Sequence, residues 1–252
     1  MPVSFPGVRR RRSGHRIGRG VSAGSSMGFL NEGDPAWRRS RRVPGMQDKP
    51  VLIPDFGVGN LPSIIRMVEK VGASCSVTRD PKELAGADKI IFAGVGAFDQ
   101  GMAALNDRGW RDALESAALE RKVPLIGICL GMQILCKTSE EGRLPGLGWI
   151  DADVMRFRQD PAGGLRIPHM GWNTVKICRD NPLISSTDEE QRFYFVHSYR
   201  VVCHQREDVI AVADYGGEFV AAFQRENLFG VQFHPEKSHR FGMALLKRFL
   251  EL

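Results

Sequence analysis

Little in this chain suits a disulfide framework, a zinc centre or a membrane. Its five cysteines (Cys75, Cys129, Cys136, Cys178, Cys203) are odd in number and contain no Cys-x-x-Cys pair. That spacing fits neither paired disulfides nor tetrahedral zinc. A reducing compartment, the cytoplasm, is expected, and any cysteine with a special role would act alone as a nucleophile. No apolar run approaches the roughly 20 residues needed to span a bilayer. The Arg-Arg pairs near the start are not followed by an apolar stretch, which argues against a secretory signal. There is no internal repeat, and no linker long enough to divide the residues after Met46.

Acidic residues are scarce in one region. Residues 1–45 hold ten arginines, no lysine and two acids (Glu32, Asp34), a net of +8, whereas residues 46–252 hold 25 basic and 27 acidic residues, a net of −2. The overall charge of +6 would by itself invite a polyanionic partner. Its confinement to one end withdraws that reading, so neither nucleic acid nor a membrane is expected as a partner. Residues 1–45 lack hydrophobic periodicity and read as a disordered Arg-rich extension. Three accounts of it compete: an over-extended start with Met46 as the natural first residue, a transit-type peptide, and a basic nucleic-acid-binding arm. The first is the simplest, because Met46 falls on the break in composition, and a chain beginning at Met46 is then expected to keep its activity. The 207 residues from 46 to 252 suffice for one well-buried domain.

Within 46–252 strands and helices alternate. Val51-Leu52-Ile53-Pro54 is a short apolar run that ends in the turn Gly57-Val58-Gly59, and Ile64, Ile65, Val68 and Val71 then share a helical face stopped by Gly72. Lys89–Ala93 is a second buried strand, followed by the loop Gly94-Val95-Gly96 and helices near 98–106 and 110–121. Pro124–Ile128 is a third strand, running into Cys129 and a helix to about Lys137. Such alternation predicts an α/β fold with a mostly parallel central sheet flanked by helices. The second half differs, with strands near 150–158, 166–178, 193–203, 208–214, 219–225 and 228–234 and a helix over 239–251. Antiparallel strands are therefore expected to extend the sheet of a single domain.

Gly127-Ile128-Cys129-Leu130-Gly131 has the G-x-nucleophile-x-G form between an apolar strand and a helix, which is the setting of a nucleophile elbow. The glycines leave room for a sharp turn, and the turn strains the nucleophile's backbone. Sulfur at a helix N-terminus gains from the helix dipole, and the Leu130 N–H becomes an oxyanion donor. The plainer alternative is a buried inert thiol, which is how Cys136 and Cys178 read. A thiol nucleophile needs a base and the base an orienter. His234-Pro235-Glu236 supplies both at the end of the strand containing Val231 and Phe233, since Pro235 keeps His234 extended and Glu236 lies two residues on. Alone, such a pair is ordinarily a surface pair.

These residues resemble the class I (triad) glutamine amidotransferases. Gly127 to Gln133 (Gly-Ile-Cys-Leu-Gly-Met-Gln) matches their nucleophile motif, and Phe233 to Glu236 (Phe-His-Pro-Glu) their His/Glu motif. Five further stretches, Asp55–Leu61, Gly94–Phe98, Pro168–Asn173, Phe193–Tyr199 and Gly230–Ser238, are similar in order and content to HisH. HisH is the glutaminase subunit of imidazole glycerol phosphate synthase. The resemblance implies that Cys129 attacks the glutamine carboxamide, that His234 moves the proton, and that Glu236 orients His234. It implies oxyanion donors at the backbone N–H groups of Leu130 and Val95, and glutamine held by Gly96, Gln133 and the Ser198–Tyr199 backbone. Gln133 also reads as a helix-surface amide and Tyr199 as a core aromatic, while His169 and His197 read as structural or interface histidines. The resemblance further implies no metal, no organic cofactor, and a heterodimer with a HisF-type (β/α)8-barrel synthase that uses the ammonia. Two positions depart from the family pattern: Ala93 stands where many relatives have proline before the Gly-Val-Gly loop, and Phe56 where tyrosine is common.

Four functions are compatible with these motifs. The leading one is the histidine-pathway glutaminase. A paralogue supplying ammonia to a HisF-like partner for amidination of a surface-polysaccharide sugar would share its chemistry, and the segments Ser139–Gly142, Gly146–Ile150 and Ser238–Gly242 leave it open. A catalytically silent regulatory subunit would not need an intact triad. A stand-alone cysteine hydrolase would be active without a partner.

Overall fold

The structure, a computed structural model, describes residues 51–158, 165–185 and 190–252. The extension assigned to residues 1–45 lies outside them. Four strands open the domain: β1 (Val51–Pro54), β2 (Cys75–Thr78), β3 (Ile90–Gly94) and β4 (Leu125–Cys129). Between them run α1 (Leu61–Lys70), α2 (Phe98–Asn106) and α3 (Trp110–Glu115), and α4 (Leu130–Ile134) follows β4 directly. The second half contributes β5 (Thr138–Ser139), β6 (Ala152–Arg156), β7 (His169–Ile177), β8 (Gln191–His197), β9 (Tyr199–Cys203), β10 (Val209–Asp214), β11 (Glu218–Arg225) and β12 (Leu228–Val231), and α5 (His239–Leu250) closes the chain.

Among the described residues all twelve strands form one sheet, with the path β2-β1-β3-β4-β12-β11-β10-β7-β8 and β5, β6 and β9 branching from it. Strands β2, β1, β3, β4 and β12 are parallel, while β12, β11, β10, β7 and β8 pair antiparallel. The expected α/β architecture is therefore present, with antiparallel strands in the second half. Within that half the short β5 pairs parallel with β6, and the strand that leads to His234 returns to the parallel part of the sheet: β12 lies parallel to β4, pairing Gly230 with Gly127 and Val231 with Ile128. This return brings the two ends of the candidate chemistry together.

Side-chain alternation along the parallel strands sorts the core into two layers. Ile91, Ala93, Ile126, Ile128, Phe229 and Val231 pack with Ile64 and Val68 of α1 and Leu246 and Phe249 of α5. Ile90, Phe92, Leu125 and Leu228 pack on the other face with Met102, Leu105, Leu114 and Ile134 from α2, α3 and α4.

Strands β2 and β5 have no counterpart in the sequence reading, and three further elements differ from it. The single strand expected over 193–203 is two strands. β8 pairs with β7, the chain bends at Ser198, whose carbonyl accepts from Phe157 N–H at 3.0 Å, and β9 then pairs with β6 and β11. The helix after Cys129 stops at Ile134 rather than near Lys137, because the Ile134 and Cys136 carbonyls turn to accept from Leu147 N–H and Gly148 N–H. The helix expected over 110–121 widens into a π-turn at Ser116–Glu120, where the Asn227 side chain donates to the Ala118 carbonyl at 2.8 Å and the Val123 carbonyl at 2.9 Å. Among the described residues no helix is long and apolar enough to cross a membrane.

Candidate active site

Cys129 ends β4 and immediately precedes α4, in a positive-φ conformation with φ +54 and ψ −108. A non-glycine residue held there stores roughly 1–3 kcal/mol of strain, and close packing over-determines it. A Cβ at Gly127 would lie 2.7 Å from the Gly131 carbonyl oxygen, and one at Gly131 would overlap the carbonyl oxygen of Phe92 on β3. No other residue type fits at either position without moving backbone, so the elbow follows from these two glycines. The Leu130 N–H opens the first turn of α4 and has no partner within the helix.

His234 follows β12 and is clasped on both sides. Its N–H donates to the Tyr194 carbonyl at 2.9 Å, and its own carbonyl accepts from the Ser238 hydroxyl at 2.6 Å. The same hydroxyl accepts from Tyr194 N–H at 3.0 Å, so one buried serine ties the turn to β8. The imidazole Nδ1 lies 2.8 Å from Glu236 Oε1, and the two side chains are 4% and 3% exposed. A carboxylate only accepts, so Nδ1 carries the proton and donates. Nε2 is buried without a hydrogen bond of good geometry, and so is Glu236 Oε2. Burial alone would lower the His234 pKa, but the neighbouring Cys129 and Glu236 outweigh it and raise the pKa to about 9. The remaining nitrogen of a base thus stands beside the strained thiol, with its other nitrogen held by a carboxylate. That arrangement can deprotonate a nucleophile and return the proton to a leaving group.

Two buried amides complete the surroundings of the sulfur. Gln232 Nε2 donates to Cys129 Sγ at 3.8 Å, and Gln232 Oε1 accepts from Gln133 Nε2 at 3.0 Å. Gln133 Nε2 also reaches the Tyr199 carbonyl at 3.4 Å. Gln133 is 5% exposed, which removes the surface-amide alternative for it. The Gly94–Gly96 loop lies alongside, because Gly94 is the register partner of Cys129, and Gly96 has φ +113. Phe98, just beyond the loop, donates its N–H to Glu141 Oε2 at 3.0 Å. Phe56 stacks on Phe92 with ring centroids 5.0 Å apart, so its missing hydroxyl leaves an apolar contact in place.

The structure therefore brings Cys129, His234, Glu236, Leu130 and Gln133 to one place, with Val95 and Gly96 on the adjoining loop. Tyr199 meets Gln133 through its carbonyl, which also accepts from His197, and the carbonyl of the preceding Ser198 is committed to Phe157 N–H. Residue type and spacing alone point to no role for Gln232, Ser238 or Glu141 at the site. Among the described residues no three His, Cys, Asp or Glu side chains form a group able to hold a metal ion.

Residues 52–252 match the family described as glutamine amidotransferase class-I. The chain is 45% identical over 201 residues to imidazole glycerol phosphate synthase subunit HisH 2 of Methanococcus maripaludis, covering 80% of this chain and 98% of that one. It is 47% identical over 203 residues to imidazole glycerol phosphate synthase subunit HisH of Bdellovibrio bacteriovorus, covering 80% and 100%. Among solved structures, one described as a glutamine amidotransferase superposes with a TM-score of 0.60 at 19% identity, covering 80% and 97%. A glutamine amidotransferase from Thermotoga maritima superposes with a TM-score of 0.53 at 21% identity, covering 81% and 82%. These two likenesses establish the fold.

Proposed function

The chain belongs to the class I glutamine amidotransferases and, within them, to the HisH subunits of imidazole glycerol phosphate synthase, and on that premise we propose the following reaction. Cys129 Sγ, its proton taken up by His234 Nε2, attacks the carboxamide carbon of glutamine. The tetrahedral oxyanion is met by the N–H groups of Leu130 and Val95. It collapses to a thioester as His234 returns the proton to the departing nitrogen, which leaves as ammonia. Water, activated by the same imidazole, then hydrolyses the thioester to glutamate and regenerates the thiol. Glu236 holds Nδ1–H throughout, so Nε2 is the nitrogen that takes up and returns the proton in both transfers. The observation that carries this reading is the strained Cys129 beside a buried His234 whose Nδ1 is 2.8 Å from Glu236.

The ammonia passes to a HisF-type (β/α)8 synthase subunit, which forms imidazole glycerol phosphate and an aminoimidazole carboxamide ribonucleotide in histidine biosynthesis. An apolar face suited to such a partner lies close by. Met170 and Trp172 point the same way from β7 and are 61% and 40% exposed. Trp172 stacks on His239 at 5.5 Å and meets Tyr194 edge-on at 6.3 Å, and the Tyr194 carbonyl is the one that holds His234. Exposed aromatic and Met side chains of this kind are typical interface anchors.

The decisive experiment measures synthesis by the reconstituted pair. Cys129→Ala should abolish glutamine-dependent synthesis and leave ammonia-dependent synthesis by the barrel intact. Retained glutamine use in that variant would remove Cys129 from its role. Growth of a histidine auxotroph supplied with this chain and its barrel tests the pathway assignment, and failure to grow with an active glutaminase would point to the surface-sugar use.

A further inference from the structure

Two buried histidines take no part in the reaction above. His169 on β7 and His197 on β8 are register partners, 3% and 6% exposed, with His169 Nδ1 2.9 Å from His197 Nε2. They sit in an aromatic box: His169 stacks on Tyr215 at 4.0 Å and on Phe195 at 4.9 Å, and His197 lies 5.3 Å from Phe157 and 5.2 Å from Phe219. Carbonyl oxygens at two points fix the direction of every bond in the group. Asn173 Nδ2 donates to the Asp214 carbonyl at 2.8 Å, and Asn173 Oδ1 accepts from Thr174 N–H, so its amide cannot be flipped. Asn173 Nδ2 therefore also donates to His169 Nε2 at 3.3 Å. At the far end His197 Nδ1 lies 2.7 Å from the Tyr199 carbonyl, which only accepts, so Nδ1 of His197 bears a hydrogen. His197 Nε2 is then an acceptor, and His169 Nδ1 is the donor to it.

The direction continues to the sulfur. The Tyr199 carbonyl, held in place by His197 Nδ1–H, can only accept, so Gln133 must present its NH2 there. The other hydrogen of that NH2 goes to Gln232 Oε1, and this turns Gln232 Nε2 toward Cys129. With both hydrogens of Gln133 committed, its Oε1 is the atom left to accept from a ligand.

Resting on the glutaminase reading, we propose that His169 and His197 are positioning residues: as two neutral Nδ1–H tautomers they form a one-way chain from Asn173 that holds the Tyr199 carbonyl in place, and that carbonyl orients the Gln133 and Gln232 amides. Gln133 then offers an acceptor to a hydrogen-bond donor of the bound amino acid, and Gln232 offers a donor to the thiol. Neutrality is consistent with the setting, because burial pushes His169 down to about 4 and His197 down to about 3. The Tyr199 carbonyl opposes this at His197, and the neighbouring His169 and His234 add to it.

Nitrogen-15 NMR of the histidine rings in the full chain at pH 7 tests the relay without reference to activity. Both rings should be neutral with the hydrogen on Nδ1, and an Nε2–H tautomer or a charged ring at either position overturns the proposal. The kinetic test compares His169→Leu, which removes the donor, with His169→Asn, whose amide nitrogen can stand where Nδ1 was. Loss of one directional bond predicts about a tenfold rise in the glutamine KM for the leucine variant, with kcat changed less. The asparagine variant should return to within about threefold of the parent. Equal KM values in two variants of equal melting temperature overturn the role. If the parent protein with its barrel hydrolyses no glutamine, the functional reading fails instead, and the NMR result still decides the relay.

Discussion

Replacing Glu236 with glutamine tests the buried imidazole–carboxylate pair through stability as well as turnover. The variant keeps the size of the side chain and an oxygen for Nδ1–H, but removes a charge that is 3% exposed and 2.8 Å from the ring. In the parent, His234 is raised from 6.5 to about 9 despite its burial. The folded protein therefore binds this proton more tightly than the unfolded chain. The resulting stabilisation is complete below pH 6.5 and is lost as pH rises through about 9. A shift of this size corresponds to about 3 kcal/mol, or roughly 10 °C in melting temperature for a domain of this length. Cys129 and Glu236 both oppose the burial penalty, so losing Glu236 should remove roughly half or more of that pH dependence. Thermal melts at pH 6, 7.5 and 9 measure it for both proteins. Glutamine turnover should fall about a thousandfold or more, as when the orienting carboxylate of other triads is made neutral. Identical pH slopes for parent and variant would refute the pairing, whatever the activity did.

Three further outcomes follow from the same geometry. Gly131→Ala drives a methyl group into the Phe92 carbonyl of a paired strand, and should cost about 3 kcal/mol and lower the melting temperature by roughly 10 °C. Ser238→Ala leaves Tyr194 N–H and the His234 carbonyl without their side-chain partner, and should cost about 2 kcal/mol in chemical denaturation while reducing kcat more than it changes KM. Brief alkylation with iodoacetamide at neutral pH, read by peptide mass spectrometry, should modify Cys129 first and abolish glutaminase activity in proportion. Burial pushes Cys75 up to about 11, Cys203 up to about 12 and Cys136 well above the usual thiol range, and Cys178 is raised by partial burial and by Glu218.

The parallel half of the fold was legible because β1, β3 and β4 are apolar runs that lead into glycine-containing turns, and α1 has a periodic face. The features missed in that half have weak local signals. β2 (Cys-Ser-Val-Thr) is an edge strand whose middle residues are exposed, so it carries no apolar run. The π-turn at Ser116–Glu120 is stabilised by Asn227, more than a hundred residues away, and helical periodicity cannot register such a partner. Division of 193–203 at Ser198 is equally non-local. Both halves alternate as strands should, and only the pairing partners, β7 for one and β6 with β11 for the other, require the chain to bend.

At the site, legibility followed the same rule. Cys129, His234 and Glu236 stood out because a nucleophile, a base and an orienter have recognisable types and spacing. Gln232 did not. On a strand where Val231 and Phe233 point inward, a polar residue between them reads as solvent-facing, yet Gln232 is fully buried. The reason is topological: the segment continues β12, which is flanked by β4 on one edge and β11 on the other and covered on both faces, so neither side of it meets water. A buried side-chain amide must find both donor and acceptor partners, and Gln232 finds them in Cys129 and Gln133. The histidines illustrate the converse. Residue type made His169 and His197 conspicuous, but their role depends on the direction of bonds anchored at the Asp214 and Tyr199 carbonyls. Sequence spacing says which side chains share a strand face. It does not say which nitrogen carries a hydrogen, and in this protein that assignment links the β7–β8 pair to the thiol.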